Sequence, residues 1–370
     1  MQEVGSTKFL LQKSNTPSCI AFSPKDRFTF AFGGTDGEIA ILSALRGESV
    51  RTVQLNSLSL ARALNSLTFS PDGTKVLTTA VSRKVSVIDV ERGDPVLTYD
   101  SCASPGEGRQ PLVMHPDIAY LAACATVNAR GITLIDIRMP LPLDFIFDIH
   151  EDCINDICFM DGSWPWGSGN MVLVSGSSLG QMKVHGLDGR PVYSFTVPSP
   201  LTCMAPSPEA YNKTISQGYP SVMMASTGEG LVCWCVGEQP WKWESQTVSP
   251  NRVTRMRYSH SGGILYTAQG KMNSLVHYPV YSRFHFLINF NLFPSNNGLF
   301  FPTGKMVTRY RRYPDRHQHD GSIFTHAAPV LDLDISPYNE YLVSAAHDNT
   351  IGLHRLGSPS HGWTQYCEFT

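Results

Sequence analysis

The sequence predicts an all-β fold made of seven repeats of one four-stranded unit, on two recurring strand patterns and on the regular spacing between them. The first pattern is an apolar strand that often runs into Ser-Pro. It is found at Ala21-Phe22-Ser23-Pro24, Thr68-Phe69-Ser70-Pro71, Val113-Met114-His115-Pro116, Ile157-Cys158-Phe159, Ala205-Pro206-Ser207-Pro208, Arg257-Tyr258-Ser259-His260 and Asp334-Ile335-Ser336-Pro337. The second is an alternating strand, at Glu38–Leu42, Val85–Asp89, Ile132–Asp136, Met182–His185, Leu231–Trp234, Leu275–Tyr278 and Ile351–His354. Its closing position falls at 42, 88, 135, 185, 234, 278 and 354, at intervals of 46, 47, 50, 49, 44 and 76.

Short β-rich strands with turn signals at even spacing argue for an all-β protein, and a period in the forties argues for the four-stranded blades of a β-propeller. The one long interval places an insertion between the sixth and seventh repeats, at about 281–325. The chain is then a single propeller over 1–356, with 357–370 as a tail or a closing strand. From Tyr281 to Phe301 the insertion holds six of the 18 phenylalanines around Ser295-Asn296-Asn297-Gly298, more than one strand face buries, so Phe293, Phe300 and Phe301, next to the cations that follow, are expected either to pack on the rim or to bind a partner. Asn-Gly between apolar strands is a strong hairpin cue. An eighth unit would need strands in the polar stretch Lys305–His319, where no alternation is visible.

Composition bounds the function classes. Charged residues make up 16% of the chain and the formal net charge is −2, unlike a dedicated nucleic-acid binder or an acidic disordered tail. No apolar run is long enough to span a bilayer. The segment after Met1 carries neither a basic nor an apolar signal region, so an intracellular location, cytoplasmic or nuclear, is expected. The nine cysteines are scattered and read as reduced packing residues.

Two repeats carry a His followed by apolar residues four, seven and nine positions later: His150, Ile154, Ile157 and Phe159, and His326, Val330, Leu333 and Ile335. An acidic turn residue precedes the third strand at Asp36-Gly37 and at Asp348, and a Trp closes that strand at Trp234. In these features the chain resembles the WD-repeat family over nearly its whole length, in a diverged form. The resemblance implies structural roles for His150, His326, Asp36, Asp348 and Trp234, and protein partners within a larger complex. It also implies closure by an N-terminal strand in the last blade, here Lys8–Leu11, with the tail around Trp363–Phe369 as the rival. Ile135-Asp136-Ile137-Arg138 looks like the Trp-Asp-x-Arg box with which some members dock on the adaptor of cullin ubiquitin ligases. On that resemblance Arg138 is the docking residue and Asp136 its orienting partner, although Ile135 replaces the Trp.

No Gly-rich nucleotide loop, nucleophile elbow or metalloprotease motif is present, so no catalytic residue, metal ligand or cofactor is expected. His317 and His319 beside Asp320 read as solvated loop residues, since a zinc site needs three or four converging ligands. Asp332 and Asp334 read as a polar strand face and not as an acid/base pair. The basic run with Arg309, Arg311, Arg312 and Arg316, interleaved with Tyr310 and Tyr313, reads either as a solvated loop or as a partner surface. As a surface it suits an acidic peptide better than nucleic acid, because the rest of the chain has no matching basic excess. The expectation is a non-catalytic interaction scaffold. The alternatives are a ubiquitin-ligase substrate receptor and a propeller hydrolase or lyase.

Overall fold

The computed structural model describes residues 6–10, 16–45, 49–55, 63–104, 110–161, 171–197, 200–208, 222–227, 231–235, 243–246, 253–269, 306–312 and 317–356. These residues form seven four-stranded antiparallel sheets and contain no helix long and apolar enough to cross a membrane. The innermost strands, in sheet order, are Pro17–Phe22, Leu64–Phe69, Leu112–Met114, Ile154–Asp161, Leu201–Pro206, Val253–Tyr258 and Val330–Ile335. Each touches the innermost strand on either side, so the sheets stand as a ring around a central channel. The ring is closed by Ser6–Leu10, which pairs with Thr350–Arg355 as the outer strand of the seventh sheet, Lys8 opposite Gly352 and Phe9 opposite Ile351. The rival closing segment around Trp363 lies outside the described residues.

Alternating strands give each sheet two faces, and both are apolar where sheets meet. Between the fourth and fifth sheets, for instance, Val172, Val174, Met182 and Val184 pack against Leu201, Met204 and Met223. A second device repeats around the channel. Six innermost strands shift register at the same place, between their first and third residues: Pro17/Cys19, Leu64/Ser66, Ile154/Asp156, Leu201/Cys203, Val253/Arg255 and Val330/Asp332. Such a bulge re-aims the extra residue. In four sheets that residue donates to the first carbonyl of the next inner strand: Ser18 Oγ to Leu64 O (2.6 Å), Asn155 Nδ2 to Leu201 O (2.6 Å), Thr202 Oγ1 to Val253 O (3.0 Å) and Thr254 Oγ1 to Val330 O (2.7 Å). At about 1 kcal/mol for a net hydrogen bond, these fix the order and spacing of the sheets more than they stabilise them.

The expected blade construction is corrected at one unit. Only six of the seven expected third strands stand where the landmarks put them, and Leu275–Tyr278 lies outside the described residues. The sixth sheet is completed from much later in the chain: Ile264–Gln269 pairs with Met306–Arg312, Ala268 opposite Val307, and Met306–Arg312 pairs with His317–Thr325. The insertion therefore falls inside the sixth sheet, between its second and third strands. It does not lie between the sixth and seventh units, and it does not extend to 325. The basic run and the His317–Asp320 segment, read above as loops, are largely strand. Burial explains the misreading. Val307, Thr308 and Arg309 are all buried, and Arg309 Nε lies 3.0 Å from Asp320 Oδ2, so a neutralised cation occupies a position where an apolar residue would have shown the alternation.

Candidate functional site

The innermost strands bring together residues far apart in sequence. Asp156, Arg255 and Asp332 occupy equivalent positions, just after the bulge, in the fourth, sixth and seventh sheets. Arg255, with a side chain only 5% exposed, sits between the two acids, Nη1 3.3 Å from Asp156 Oδ2 and Nε 3.3 Å from Asp332 Oδ1. The bridge reaches across the channel, because the fourth and sixth sheets are not neighbours. Each carboxylate also accepts from the backbone of the next sheet: Met204 N–H donates to Asp156 (2.9 Å) and Ile20 N–H to Asp332 (3.1 Å). One layer along, Asp334 Oδ1 pairs with Arg257 Nε (3.1 Å) while its Oδ2 accepts from Phe22 N–H (2.8 Å). The channel opens into a cavity of about 650 Å³ whose walls include Phe22, Phe69, Phe159 and Tyr258 from four different sheets. In this setting the carboxylates are latches between sheets.

The histidines sit in structural networks. His326 is buried, with Nε2 2.8 Å from Ser344 Oγ and Nδ1 2.9 Å from Thr350 Oγ1. Asp348 accepts from Ala327 N–H (2.7 Å) and Thr350 N–H (3.2 Å), tying the turn to the strand that follows. His150 Nε2 lies 2.7 Å from Ser175 Oγ in the fourth sheet. His185 and His354 close the third strands of their sheets at the position Trp234 holds in the fifth, and both are buried. Burial drives their pKa values down, to about 4 for His150 and His185 and to about 3 for His354. Asp36 Oδ1 accepts from Glu38 N–H (3.0 Å) across a turn in which Gly37 takes φ +82°. Trp234 lies opposite Trp243 in the fifth sheet, with its side chain outside the described residues. Among the described residues no three His, Cys, Asp or Glu side chains group as metal ligands would.

Two of the basic run's arginines are paired with one acid. Arg309 is buried, and Arg311 Nη2 lies 3.3 Å from the same Asp320 carboxylate. Arg312 stands in register with His317, and Arg316, Phe293, Phe300 and Phe301 lie outside the described residues. Asp136 and Arg138 form a compact unit at the end of the third strand of the third sheet. Arg138 Nε donates to Asp136 Oδ1 (2.9 Å) and Nη2 to Oδ2 (2.6 Å), a two-pronged pair that holds the carboxyl below its usual range. The guanidinium carbon lies 3.3 Å from the centre of the Tyr120 ring, and the side chain stays 59% exposed.

Beside this unit are residues the sequence reading passed over. Met139, Leu141, Leu143, Phe145 and Phe147 are all exposed, and the rings of Phe145 and Phe147 stack at 5.5 Å with 15° between their planes. The signal was present as apolar residues at every second position from 139 to 147. It was hidden because alternation ordinarily means burial, and because Pro140 and Pro142 interrupt the pattern.

Comparison with known proteins points to the fold and to one repeat. The family model described as WD domain, G-beta repeat, matches residues 319–354. Among solved structures, a chain of the crystal structure of the mitotic checkpoint complex is similar with a TM-score of 0.66 at 14% identity, over 92% of this chain and 90% of that one. No curated protein matches by sequence.

Proposed function

Starting from a WD-repeat β-propeller in diverged form, we propose that this protein is a non-catalytic interaction scaffold within a multiprotein complex. What supports the reading is how its polar groups are used. The channel carboxylates are held by arginines and by backbone N–H groups of the next sheet, and the buried histidines serve strand and turn networks. Apolar side chains stand uncovered on the rim of a closed ring. A rigid receptor binds without a large ordering cost, and such display suits recognition better than turnover. Because one fold hosts many functions, the partner must come from a site and not from the architecture. The test is affinity purification of the tagged full chain from its native source. The expected result is a partner protein in fixed stoichiometry that survives size exclusion, and a chain that runs alone at native concentration overturns the reading.

A second reading, a substrate receptor of a cullin-type ubiquitin ligase, draws on the Asp136–Arg138 pair, oriented by two hydrogen bonds and still open to solvent. It predicts ligase adaptor subunits among the co-purifying proteins and their loss on Arg138→Ala. Adaptor recovery that is indifferent to Arg138, or no adaptor at all, removes this reading and leaves the scaffold.

A further inference from the structure

The crossover from the second sheet to the third brings two thiols into one core. Cys102 follows the second sheet's outer strand, Pro95–Tyr99, and Cys124 lies in the third sheet's second strand, Leu121–Ala125. Both are fully buried, in a core with Leu77, Val87, Ala122 and Ile135. Hydrogen bonds fix their approach. The Cys102 carbonyl accepts from Cys124 Sγ–H (3.8 Å) and from Thr133 Oγ1 (3.1 Å), and Thr133 stands opposite Cys124 in the sheet. Ser104 N–H donates to Ala125 O (3.1 Å), so the crossover runs beside that second strand. The two thiols also hydrogen-bond to each other. Their contact holds the Cys102 thiol below its ordinary pKa, against burial and with help from Thr133, while the same contact and burial push Cys124 well up. Cys102 is therefore the better nucleophile of the pair, and Cys124 stands beside it in reserve.

What covers Cys102 is a turn and not a strand. Its neighbour Ser101 is exposed and takes φ +51°, and Cys102 N–H donates to the carbonyl of Arg83 (3.0 Å), exposed as well and at φ +66°. Left-handed backbone is costly for residues other than glycine, so two strained positions hold this cover in place. The Lys84–Asp100 pair beside it (2.8 Å) is exposed on both sides and adds little. Proteins open locally where little is buried, and here such an opening uncovers Cys102 without parting any strand pair. A nucleophilic thiol under a thin cover, in contact with a second thiol, is the arrangement of a reversible oxidation site.

We propose that Cys102 and Cys124 form a redox-sensitive lock between the second and third sheets, closed by hydrogen peroxide. The Cys102 thiolate attacks one peroxide oxygen, the O–O bond breaks, and the sulfur becomes a sulfenic acid as the first water leaves. The Cys124 sulfur gives up its proton and attacks the Cys102 sulfur, the S–O bond breaks, and the second water leaves. Two thiols have lost two electrons to one peroxide, and the new S–S bond ties the crossover to the third sheet. The test treats the full chain carrying Cys153→Ser, which removes an exposed thiol, with hydrogen peroxide under native conditions, then caps the remaining thiols and digests with trypsin. Arg109 lies between the two cysteines, so they fall on separate peptides that only the disulfide joins. The expected result is a joined peptide that reductant separates. The oxidised protein should also melt about 4 °C higher than the reduced one, the shift expected when a crosslink closes a loop of 22 residues in a chain of this size. With Cys124→Ser added, Cys102 should stop at the sulfenic acid, trapped by dimedone, and the melting temperature should not rise. The joined peptide and the melting shift are read with the pair intact, so the proposal does not depend on how that variant folds. Both thiols left free at peroxide doses that oxidise Cys153 in the parent, a joined peptide found only after denaturation, or no rise in melting temperature overturns the lock. None of these outcomes touches the scaffold reading, which stands or falls on co-purification.

Discussion

Replacing Arg255 by Met isolates the bridge across the channel. The substitution keeps an unbranched, mostly apolar side chain and removes the charge that lies between Asp156 and Asp332, both of which are nine-tenths buried or more. Breaking a buried ion pair by removing one partner costs about 3–5 kcal/mol, because a charge is left uncompensated. Here each carboxylate keeps two backbone donors, Met204 and Ile157 N–H for Asp156, Ile20 and Leu333 N–H for Asp332, which places the cost near the lower end, about 3 kcal/mol. With an unfolding entropy of about 2.1 cal/mol/K per residue, a chain of this size has about 0.8 kcal/mol/K, so the melting temperature should fall by about 4 °C. Calorimetry and urea unfolding of Arg255→Met, alone and with Asp156→Asn and Asp332→Asn, measure it. In the neutralised background the same substitution should cost under about 1 kcal/mol, because no buried charge is orphaned. An Arg255→Met protein that melts like the parent, or an equal loss in both backgrounds, refutes the argument that the bridge compensates buried charge.

Acid should unfold the protein through its histidines. His150, His185 and His354 have folded pKa values near 4, 4 and 3, below the ordinary 6.5 of an unfolded chain. The unfolded state therefore binds more protons between those limits, and stability is full above pH 6.5 and lost as pH falls toward 4. At pH 5 each contributes a loss of about 2 kcal/mol, seen as a falling urea midpoint, and His185→Phe should flatten that slope. Gly131→Ala should cost about 1–3 kcal/mol by overpacking, since a Cβ there would stand 2.1 Å from Ile146 O and push the outer strand of the third sheet off its neighbour; thermal melts check it. Deleting the first twelve residues should leave Thr350–Arg355 as an open edge and produce aggregates in light scattering. A truncated chain that stays monomeric with the parent's melting temperature would show that the ring does not depend on that strand.

The sheets were legible wherever a strand alternates and buries one apolar side, because the register that places Val87 or Leu134 in a core is the same period-two pattern that the sequence displays. The hydrogen bonds of His326 and Asp348 stay within one repeat, the range over which a local pattern can be read. Local patterns could not reveal partners met only when the ring closes. Arg255 and Asp156 are 99 residues apart, and Arg309 reads as solvent-exposed until Asp320 is placed beside it. The sixth sheet was misassigned because its third strand carries those cations. The rim residues were missed because Leu143, Phe145 and Phe147 alternate like a buried strand and yet face solvent.

Closure by the first strand also sets a timetable. Ser6 pairs with His354, so the ring's first strand cannot find its partner until the last sheet has been synthesised. At about 5–20 residues per second, the wait is roughly 20–70 s, during which Ser6–Leu10 has no partner strand. Each sheet can form its own hairpins as it emerges, because strands adjacent in the chain are adjacent in space. The joining of the ends is therefore the slow, long-range step. Until then Ser6–Leu10 must stay free to join Thr350–Arg355, because any earlier pairing of that edge would leave the ring open.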